Sequence, residues 1–315
     1  MLLCRYQLKP TSLHDSRGGS TSNYLPVRAE WLASATEAAL EPDMPIIDAH
    51  HHFYERPGWT YLLDEYLADA RSGHNITASV FMQALTRYRT AGPEQLRPVG
   101  EIEYVAQVTS SMQKEKPQVA KGIVGYADLR RGAAVREVLE AELEAGDGRL
   151  RGVRHFVTWD ADSTLVNLLS AVPRGLLLDP SYRAGVAQLK SLGLSYDAWL
   201  FFPQLPELFD LAKANPDTPF IINHCGGVVR IGSYTSYRKE VFDTWSRSMH
   251  ELARLPNVYV KLGELGMRIN QRFRLREGRE AAFFHRTSRN LEAMDAYVHR
   301  GIRCESLYVR KQFSG

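Results

Sequence analysis

Three consecutive histidines follow an apolar segment near the start of the chain, in the sequence IIDAHHHF. Side chains two positions apart on a β-strand lie on the same face, so we expect His50 and His52 to project together while His51 points away. Two imidazoles that converge at a strand end form half of a metal site, and Zn²⁺ is the commonest ion for nitrogen ligands of this kind. The spacing therefore predicts His50 and His52 as metal ligands; the alternative is a coincidental run of histidines.

A separate histidine, His224, ends the apolar segment FIINH and precedes Gly226 and Gly227. Glycines allow the backbone to pass close to a ligand. We therefore predict His224 as a third metal ligand, although a lone histidine at a strand end is also typical of a core residue without a ligand role.

Arg154 and His155 end another apolar segment and admit two interpretations. In the first they form a surface pair with nearby Asp160. In the second they are catalytic: Arg154 binds a substrate carboxylate bidentately, and His155 polarises a carbonyl or serves as a ligand or base.

Two further polar residues are candidates for substrate binding. Lys261 lies inside an otherwise apolar segment, where it either binds an anionic substrate or extends its ammonium group to water at a rim. Gln204, which follows the segment LSYDAWLFF, is the weaker candidate.

The elements that must position these residues alternate along the chain, as they do in parallel sheets with crossover helices. Seven strands are predicted, at 44–50, 75–82, 120–129, 150–159, 194–202, 218–227 and 257–266. Amphipathic segments lie between them; in one, Val135, Leu139 and Leu143 recur at helical spacing. The candidate residues gather at the carboxyl ends of the strands, the catalytic face of a TIM barrel. We predict an α/β fold, a (β/α)8 TIM barrel that is incomplete because no eighth strand is visible after about residue 270.

Composition excludes several classes of protein. The chain has 315 residues, 44% hydrophobic and 24% charged, which is typical of a soluble globular domain. The cysteines Cys4, Cys225 and Cys304 are too far apart for a disulfide framework or a CxxC zinc site. No membrane span or secretory signal is visible, so a cytoplasmic location is expected.

Three regions are predicted: a flexible extension at 1–21, a barrel domain at 22–270 and an aberrant tail at 271–315. The tail holds nine Arg and one Lys against four Glu and one Asp, a net charge of +5, so residues 1–270 carry −2 of the total of +3. A nearly neutral body argues against nucleic acid and membrane as partners. A small-molecule substrate is expected, and a homo-oligomer is compatible with the sequence.

Five segments in order resemble the amidohydrolase-related family of metal-dependent TIM-barrel hydrolases, in its lactonase-like branch. They are IDAHHHFY, GVRHFVTWD, LSYDAWLFFPQLPEL, TPFIINHCGG and NVYVKLGELGMRIN. The resemblance implies a divalent metal, with His50, His52 and His224 as metal or active-site histidines, although some relatives open lactones without metal. Two departures stand out. Phe202 occupies a position where relatives often place a histidine, and the last-strand motif C-M-F-E-S-N-F-P-x-D, with its catalytic aspartate, is absent.

The tail suggests a cause for the second departure. Codons chosen for Leu307–Ser314, followed by the first bases of the Gly315 codon and read one base later, encode C-M-F-E-S-N-F-P. We therefore expect residues 271–315 to be an out-of-frame product, which sequencing of the gene would test; the alternative is a tail that diverged, with Arg310 or Glu305 near the aspartate position. The expected activity is that of a metal-dependent hydrolase of a lactone or similar carboxylate-bearing ester or amide. The alternatives are a non-oxidative decarboxylase on the same metal site and a binding-only barrel without the last aspartate.

Overall fold

The computed structural model describes residues 38–56, 59–165, 172–263, 267 and 269. Within these ranges the strands are β1 (Pro45–His51), β2 (Tyr54–Arg56), β3 (Trp59–Tyr61), β4 (Asn75–Met82), β5 (Gln118–Gly125), β6 (Leu150–Phe156), β7 (Ser195–Trp199), β8 (Phe220–Ile222) and β9 (Val258–Val260). The α-helices are α1 (Leu63–Ala70), α2 (Val99–Val108), α3 (Arg136–Ala145), α4 (Pro180–Val186), α5 (Gln188–Ser191), α6 (Leu205–Ala214) and α7 (Arg238–Leu252).

Seven of the strands belong to one sheet with the order β1-β4-β5-β6-β7-β8-β9. The pairings β1–β4, β4–β5, β5–β6, β7–β8 and β8–β9 are all parallel. Each of the seven predicted strands is therefore confirmed. Strand β4 has the predicted bounds, β1 and β5 are displaced along the chain, and the other four are shorter than the sequence suggested. The fold is α/β and corresponds to an incomplete TIM barrel, since no strand follows β9 in the described part of the chain.

The described residues fall into two compact units. The first contains residues 38–127 and 137–153, and the second contains residues 128–136 and those from 154 onward. The predicted extension at 1–21 and the predicted tail at 271–315 lie outside the described residues. In the described ranges no helix combines the length and apolar character that a bilayer crossing would need.

The first unit is built on β1, β4, β5 and most of β6. Val80, Met82 and Val124 form a hydrophobic cluster in its sheet. Parallel strands that are covered on both faces are apolar along most of their length, and β4 and β5 follow this pattern. The small antiparallel sheet β2–β3 follows the histidine segment directly and was not predicted, because its two strands have only three residues each.

The second unit is built on β7, β8 and β9 with the helices α4 to α7. Helix α4 begins where Asp179 accepts a hydrogen bond from the backbone N–H of Tyr182 at 2.8 Å, with Pro180 at the first helical position. Behind β7, the fully buried hydroxyls of Tyr182 and Tyr196 hydrogen-bond to each other at 2.8 Å, which links α4 to the strand.

Candidate active site

The strongest chemical feature of the first unit is the histidine pair at the end of β1. The Nε2 atoms of His50 and His52 lie 3.1 Å apart, and both rings are half-buried. The Nδ1 atom of His52 lies 2.8 Å from the carbonyl oxygen of Met82. A carbonyl only accepts hydrogen bonds, so Nδ1 of a neutral His52 carries the proton and its Nε2 is an acceptor that faces Nε2 of His50. A ligating histidine usually has this arrangement, with one ring nitrogen donating to a carbonyl and the other available to a metal.

His51 has a different environment, as the two-residue period of the strand predicted. Its ring is 2% exposed, stacks on Tyr66 at 4.1 Å and hydrogen-bonds to the Ser79 hydroxyl at 3.0 Å. Burial lowers the pKa of His51 to about 4, although the Asp48 carboxylate acts in the opposite direction. His51 is therefore a neutral packing residue, and the neighbouring pair carries the candidate chemistry.

In the second unit, His224 follows β8 and is 5% exposed. Its ring lies edge-on to Trp199, with 4.6 Å between the ring centroids. Burial lowers the pKa of His224 well below its ordinary value, and the positive charges of Arg154 and Lys261 lower it further. The imidazole is therefore neutral and lies in positively charged surroundings.

Arg154 and His155 are 3% exposed each, so their interpretation as a surface pair is wrong. The guanidinium of Arg154 lies 5.0 Å from the ring centre of Phe156. The backbone N–H of Leu129 donates to Nδ1 of His155 at 3.4 Å, and the ring packs on Tyr182. Because Nδ1 accepts this hydrogen bond, the proton of a neutral His155 is on Nε2, the form that donates to an acceptor such as a carbonyl oxygen.

Asp128 lies beside His155 and is anchored by its own loop. Its carboxylate accepts hydrogen bonds from the Arg130 side chain at 2.7 and 2.8 Å. Burial raises the pKa of Asp128, but the hydrogen bonds from Arg130 and the positive charge of Arg130 help to outweigh burial, and the pKa is lowered overall.

Lys261 does not extend to water, so the interpretation as a rim residue is wrong. Its ammonium lies 3.1 Å from Oδ1 of Asp197, with 10% exposure for the lysine side chain and 0% for the aspartate. The amide of Asn223 donates to the same oxygen at 3.0 Å. Asp197 was not singled out from the sequence, although an acidic residue in the middle of the apolar segment LSYDAWLFF was a visible signal.

Gln204, which the sequence predicted as a substrate-binding residue, is hydrogen-bonded to backbone groups in the structure. Its Oε1 accepts hydrogen bonds from the backbone N–H groups of Trp159 and Phe201 at 3.0 and 3.2 Å, and its Nε2 donates to the carbonyl of Val157. Because the amide is committed to backbone groups at both ends, Gln204 joins the loops after β6 and β7. Phe202, two residues before Gln204 in the chain, is 4% exposed and packs on Tyr234.

The expectation for the two glycines after His224 also needs correction. Gly226 and Gly227 have φ of 78° and 57°, and a Cβ at Gly227 would lie 1.8 Å from the carbonyl oxygen of Leu200. The close approach is therefore to the protein's own backbone, and not to a ligand.

The described residues contain no group of three or more His, Cys, Asp or Glu side chains placed to hold a metal ion. Two nitrogen donors do converge, those of His50 and His52. Their facing nitrogen atoms and the carbonyl partner of His52 fit two ligands of a divalent cation, with the neutral nitrogen donor chemistry that zinc accepts.

Comparisons with known proteins place these observations in a family context. The family model described as amidohydrolase matches residues 47–296. The protein y4mH of Sinorhizobium fredii is 30% identical over 247 residues, covering 78% of this chain and 69% of that protein. An L-fucono-1,5-lactonase of Burkholderia multivorans is 24% identical over 234 residues, covering 70% of this chain and 68% of that enzyme. A second L-fucono-1,5-lactonase, from Burkholderia ambifaria, is 26% identical over 234 residues, covering 70% of this chain and 67% of that enzyme.

A crystal structure of an amidohydrolase from Burkholderia multivorans with bound zinc shares the fold. It has a TM-score of 0.56 and 23% sequence identity, and the match covers 81% of this chain and 79% of that chain. The family match ends at residue 296, beyond the predicted boundary at 270, so that boundary and the out-of-frame tail stay predictions.

Proposed function

Because the chain belongs to the amidohydrolase family, we propose that it is a hydrolase that opens a lactone or a similar carboxylate-bearing ester or amide. Similarity to the two L-fucono-1,5-lactonases supports a sugar-acid lactone as the first substrate to test. In this reaction a water oxygen adds to the carbonyl carbon, the ring carbon–oxygen bond breaks, and the ring oxygen gains a proton. The product is an open-chain hydroxy acid.

The proposal depends on one observation above the others, the convergence of the His50 and His52 Nε2 atoms at 3.1 Å. We propose that these two nitrogens hold a divalent cation, for which Zn²⁺ is the first candidate, and that His224 is an active-site histidine of the second unit. When bound, such a cation supplies Lewis-acid polarisation of the scissile carbonyl. The hydrogen bond from Nδ1 of His52 to the Met82 carbonyl orients the ring and fixes its tautomer for this role.

The cationic residues of the second unit provide binding energy for the substrate carboxylate. Arg154 and Lys261 both contribute positive charge near His224, whereas Asp197 is the carboxylate that pairs with Lys261. A site with two buried cations and one anion attracts a further negative group. His155, with its proton on Nε2, is suited to donate a hydrogen bond to the carbonyl oxygen as charge develops there.

The test is hydrolysis of a panel of sugar-acid 1,5-lactones by the purified chain, before and after removal of metal and after addition of Zn²⁺. We expect His50→Ala and His52→Ala to lower kcat/KM at least about a hundredfold, because each removes one of two convergent ligands. His74→Ala is the matched control, since His74 is exposed in the loop before β4. Activity that persists in the metal-free protein and in both variants would contradict the metal-dependent mechanism and leave a metal-independent lactonase.

A binding-only barrel is the second candidate function, and it is favoured by the absence of the motif C-M-F-E-S-N-F-P-x-D from the sequence after residue 266. It predicts that the chain binds a sugar acid but does not turn over any lactone, and that the frame-corrected protein does. A decarboxylase would instead release CO₂ from an aromatic acid without incorporating oxygen from ¹⁸O-labelled water.

A further inference from the structure

His224 begins an unusual stretch of backbone in which four successive residues are left-handed. The φ angles are 53° for His224, 54° for Cys225, 78° for Gly226 and 57° for Gly227. Residues with a Cβ rarely adopt this conformation, because the Cβ approaches the following carbonyl oxygen. A left-handed turn that begins with a histidine and a cysteine is therefore strained, and it persists only where surrounding contacts hold it.

Gly227 accounts for part of the conformation. A Cβ at this position would lie 1.8 Å from the carbonyl oxygen of Leu200, so only glycine allows the turn to pass the end of β7. Glycine permits the turn but does not hold it, because glycine adopts many other conformations equally well. Other contacts must hold the two strained residues before it.

Hydrogen bonds to three backbone groups hold the turn, and the Cys225 thiol also donates to the Lys261 carbonyl at 3.7 Å. The backbone N–H of Gly226 donates to the Asn223 carbonyl at 3.0 Å, and the N–H of Cys225 donates to the Lys261 carbonyl at 3.0 Å. The third comes from a side chain: the indole N–H of Trp245 donates to the Cys225 carbonyl at 2.8 Å. Trp245 is fully buried in the middle of helix α7, so this donor comes from a rigid element.

The conformation of the turn decides where the His224 ring lies. The ring is buried edge-on against Trp199 and lies near the charges of Arg154 and Lys261. A change in φ at His224 or Cys225 would move the buried imidazole of His224 away from these neighbours. A residue that holds the Cys225 carbonyl therefore also holds the imidazole.

We propose that Trp245 is a positioning residue for His224: its indole N–H keeps the turn His224–Gly227 left-handed and so fixes the imidazole in the active site. The proposal rests on the proposed function for its catalytic consequence, but the restraint on the turn is independent of any reaction. Trp245 itself touches neither substrate nor metal in this account.

The test compares Trp245→Phe with Tyr196→Phe in a C4S/C304S background, where Cys225 is the single thiol. Tyr196→Phe is the matched control because it removes another fully buried hydrogen bond, also 2.8 Å long, from the same unit. Cys225 is 2% exposed, so a thiol reagent reports opening of the turn. We expect labelling of Trp245→Phe to be about fivefold faster than labelling of the control at equal global stability, since one restraining hydrogen bond is lost.

The catalytic readout separates positioning from general destabilisation. With kcat corrected for the folded fraction, we expect Trp245→Phe to lower kcat about tenfold and to change KM less than about twofold, because the cations that bind the carboxylate are untouched. Tyr196→Phe should leave both constants within about twofold. Unchanged labelling would overturn the proposal, and so would faster labelling with an unchanged kcat.

Two further measurements keep the test decisive. Should Trp245→Phe fail to fold, 3-benzothienylalanine at position 245 retains the shape of the indole and lacks the N–H donor, and the same results are expected. Should the wild-type chain hydrolyse no lactone, the proposed function fails. The NMR resonances of the His224 ring protons then test the positioning role of Trp245. A shift of these resonances in Trp245→Phe but not in Tyr196→Phe supports it, and identical resonances in the two variants overturn it.

Discussion

Among the described residues, each compact unit contains a carboxyl group without solvent exposure, Glu142 in the first and Asp197 in the second, and the two groups have opposite surroundings. Glu142, on α3 in the first unit, lies near a second carboxylate, Glu101. Asp197, on β7 in the second unit, lies 3.1 Å from the ammonium of Lys261 and accepts a hydrogen bond from Asn223. Burial, followed by the charge of Glu101, raises the pKa of Glu142 well above its ordinary value.

This difference separates a structural acid from one that belongs to a charged site. A buried carboxylic acid without a cation avoids the cost of desolvation by keeping its proton. A buried carboxylate that pairs with a cation holds that cation in place, and removal of either partner leaves an uncompensated charge. We therefore interpret Glu101 as support for the loop after β4, Glu142 as a structural acid that keeps its proton, and Asp197 as the anchor of Lys261.

The largest effect is expected from Asp197→Ala, which leaves the Lys261 ammonium buried without its countercharge. We expect the free energy of unfolding to fall by about 3–5 kcal/mol, measured by urea denaturation. Replacement of both partners, as Asp197→Leu with Lys261→Met, should recover most of that loss. A single variant as stable as the wild type would show that Lys261 does not depend on this carboxylate.

A somewhat smaller effect is expected from Glu101→Ala in the other unit. Oε1 of Glu101 accepts hydrogen bonds from the backbone N–H groups of Ala84 and Thr86 at 2.9 and 2.8 Å. Removal of the acceptor leaves two buried donors, and we expect a loss of about 2–3 kcal/mol in the same denaturation experiment. Protection of the Ala84 and Thr86 amides from hydrogen exchange should fall as well, and unchanged protection would contradict the assigned role.

The substitution Glu142→Gln tests whether the pKa of Glu142 is raised in the folded protein. Since the pKa of Glu142 is raised in the folded state, the unfolded chain loses its proton first as the pH rises above about 4.5. Wild-type stability therefore falls with rising pH in the range between the unfolded and the folded pKa. We expect the difference in Tm, Glu142→Gln minus wild type, to become more positive from pH 4 to pH 8. A difference that does not change with pH would mean that Glu142 ionises normally.

The smallest effect is expected from Asp217→Ala, the exposed counterpart of Asp197→Ala. Lys190 and Asp217 form an ion pair at 2.6 Å with side-chain exposures of 64% and 60%. Pairs this exposed contribute about 0–1 kcal/mol, because water and salt screen both charges. A loss of stability equal to that of Asp197→Ala would contradict the claim that burial makes the Asp197–Lys261 pair contribute more than the exposed pair.

The sequence predicted those features that depend on short-range periodicity. Alternation along one strand separated His50 and His52 from His51, and apolar runs located the seven strands. The helical period was less reliable: Leu143 was expected on the buried face of α3, yet it is only half-buried and Glu142 is fully buried. A glutamate is normally placed outside, and burial of Glu142 raises its pKa, so that it is accommodated inside as the neutral acid.

Features that depend on contacts between distant residues were not predictable. Asp197 lies on β7 and Lys261 directly after β9, with β8 between the two strands in the sheet. The sequence of one segment does not indicate that the other segment supplies its ionic partner. Gln204 had the right polarity for a substrate ligand, but three backbone groups already use its amide. The left-handed turn could not be foreseen from Gly226 and Gly227, because its strain falls on His224 and Cys225.

The claim that His50 and His52 bind a catalytic divalent cation is tested most directly by isothermal titration of the metal-free chain with Zn²⁺. We expect one ion to bind per wild-type chain and per His74→Ala chain, and the binding to be lost in the double variant His50→Ala/His52→Ala. Zinc binding of equal affinity in the double variant, or no binding by the wild type, would contradict the account.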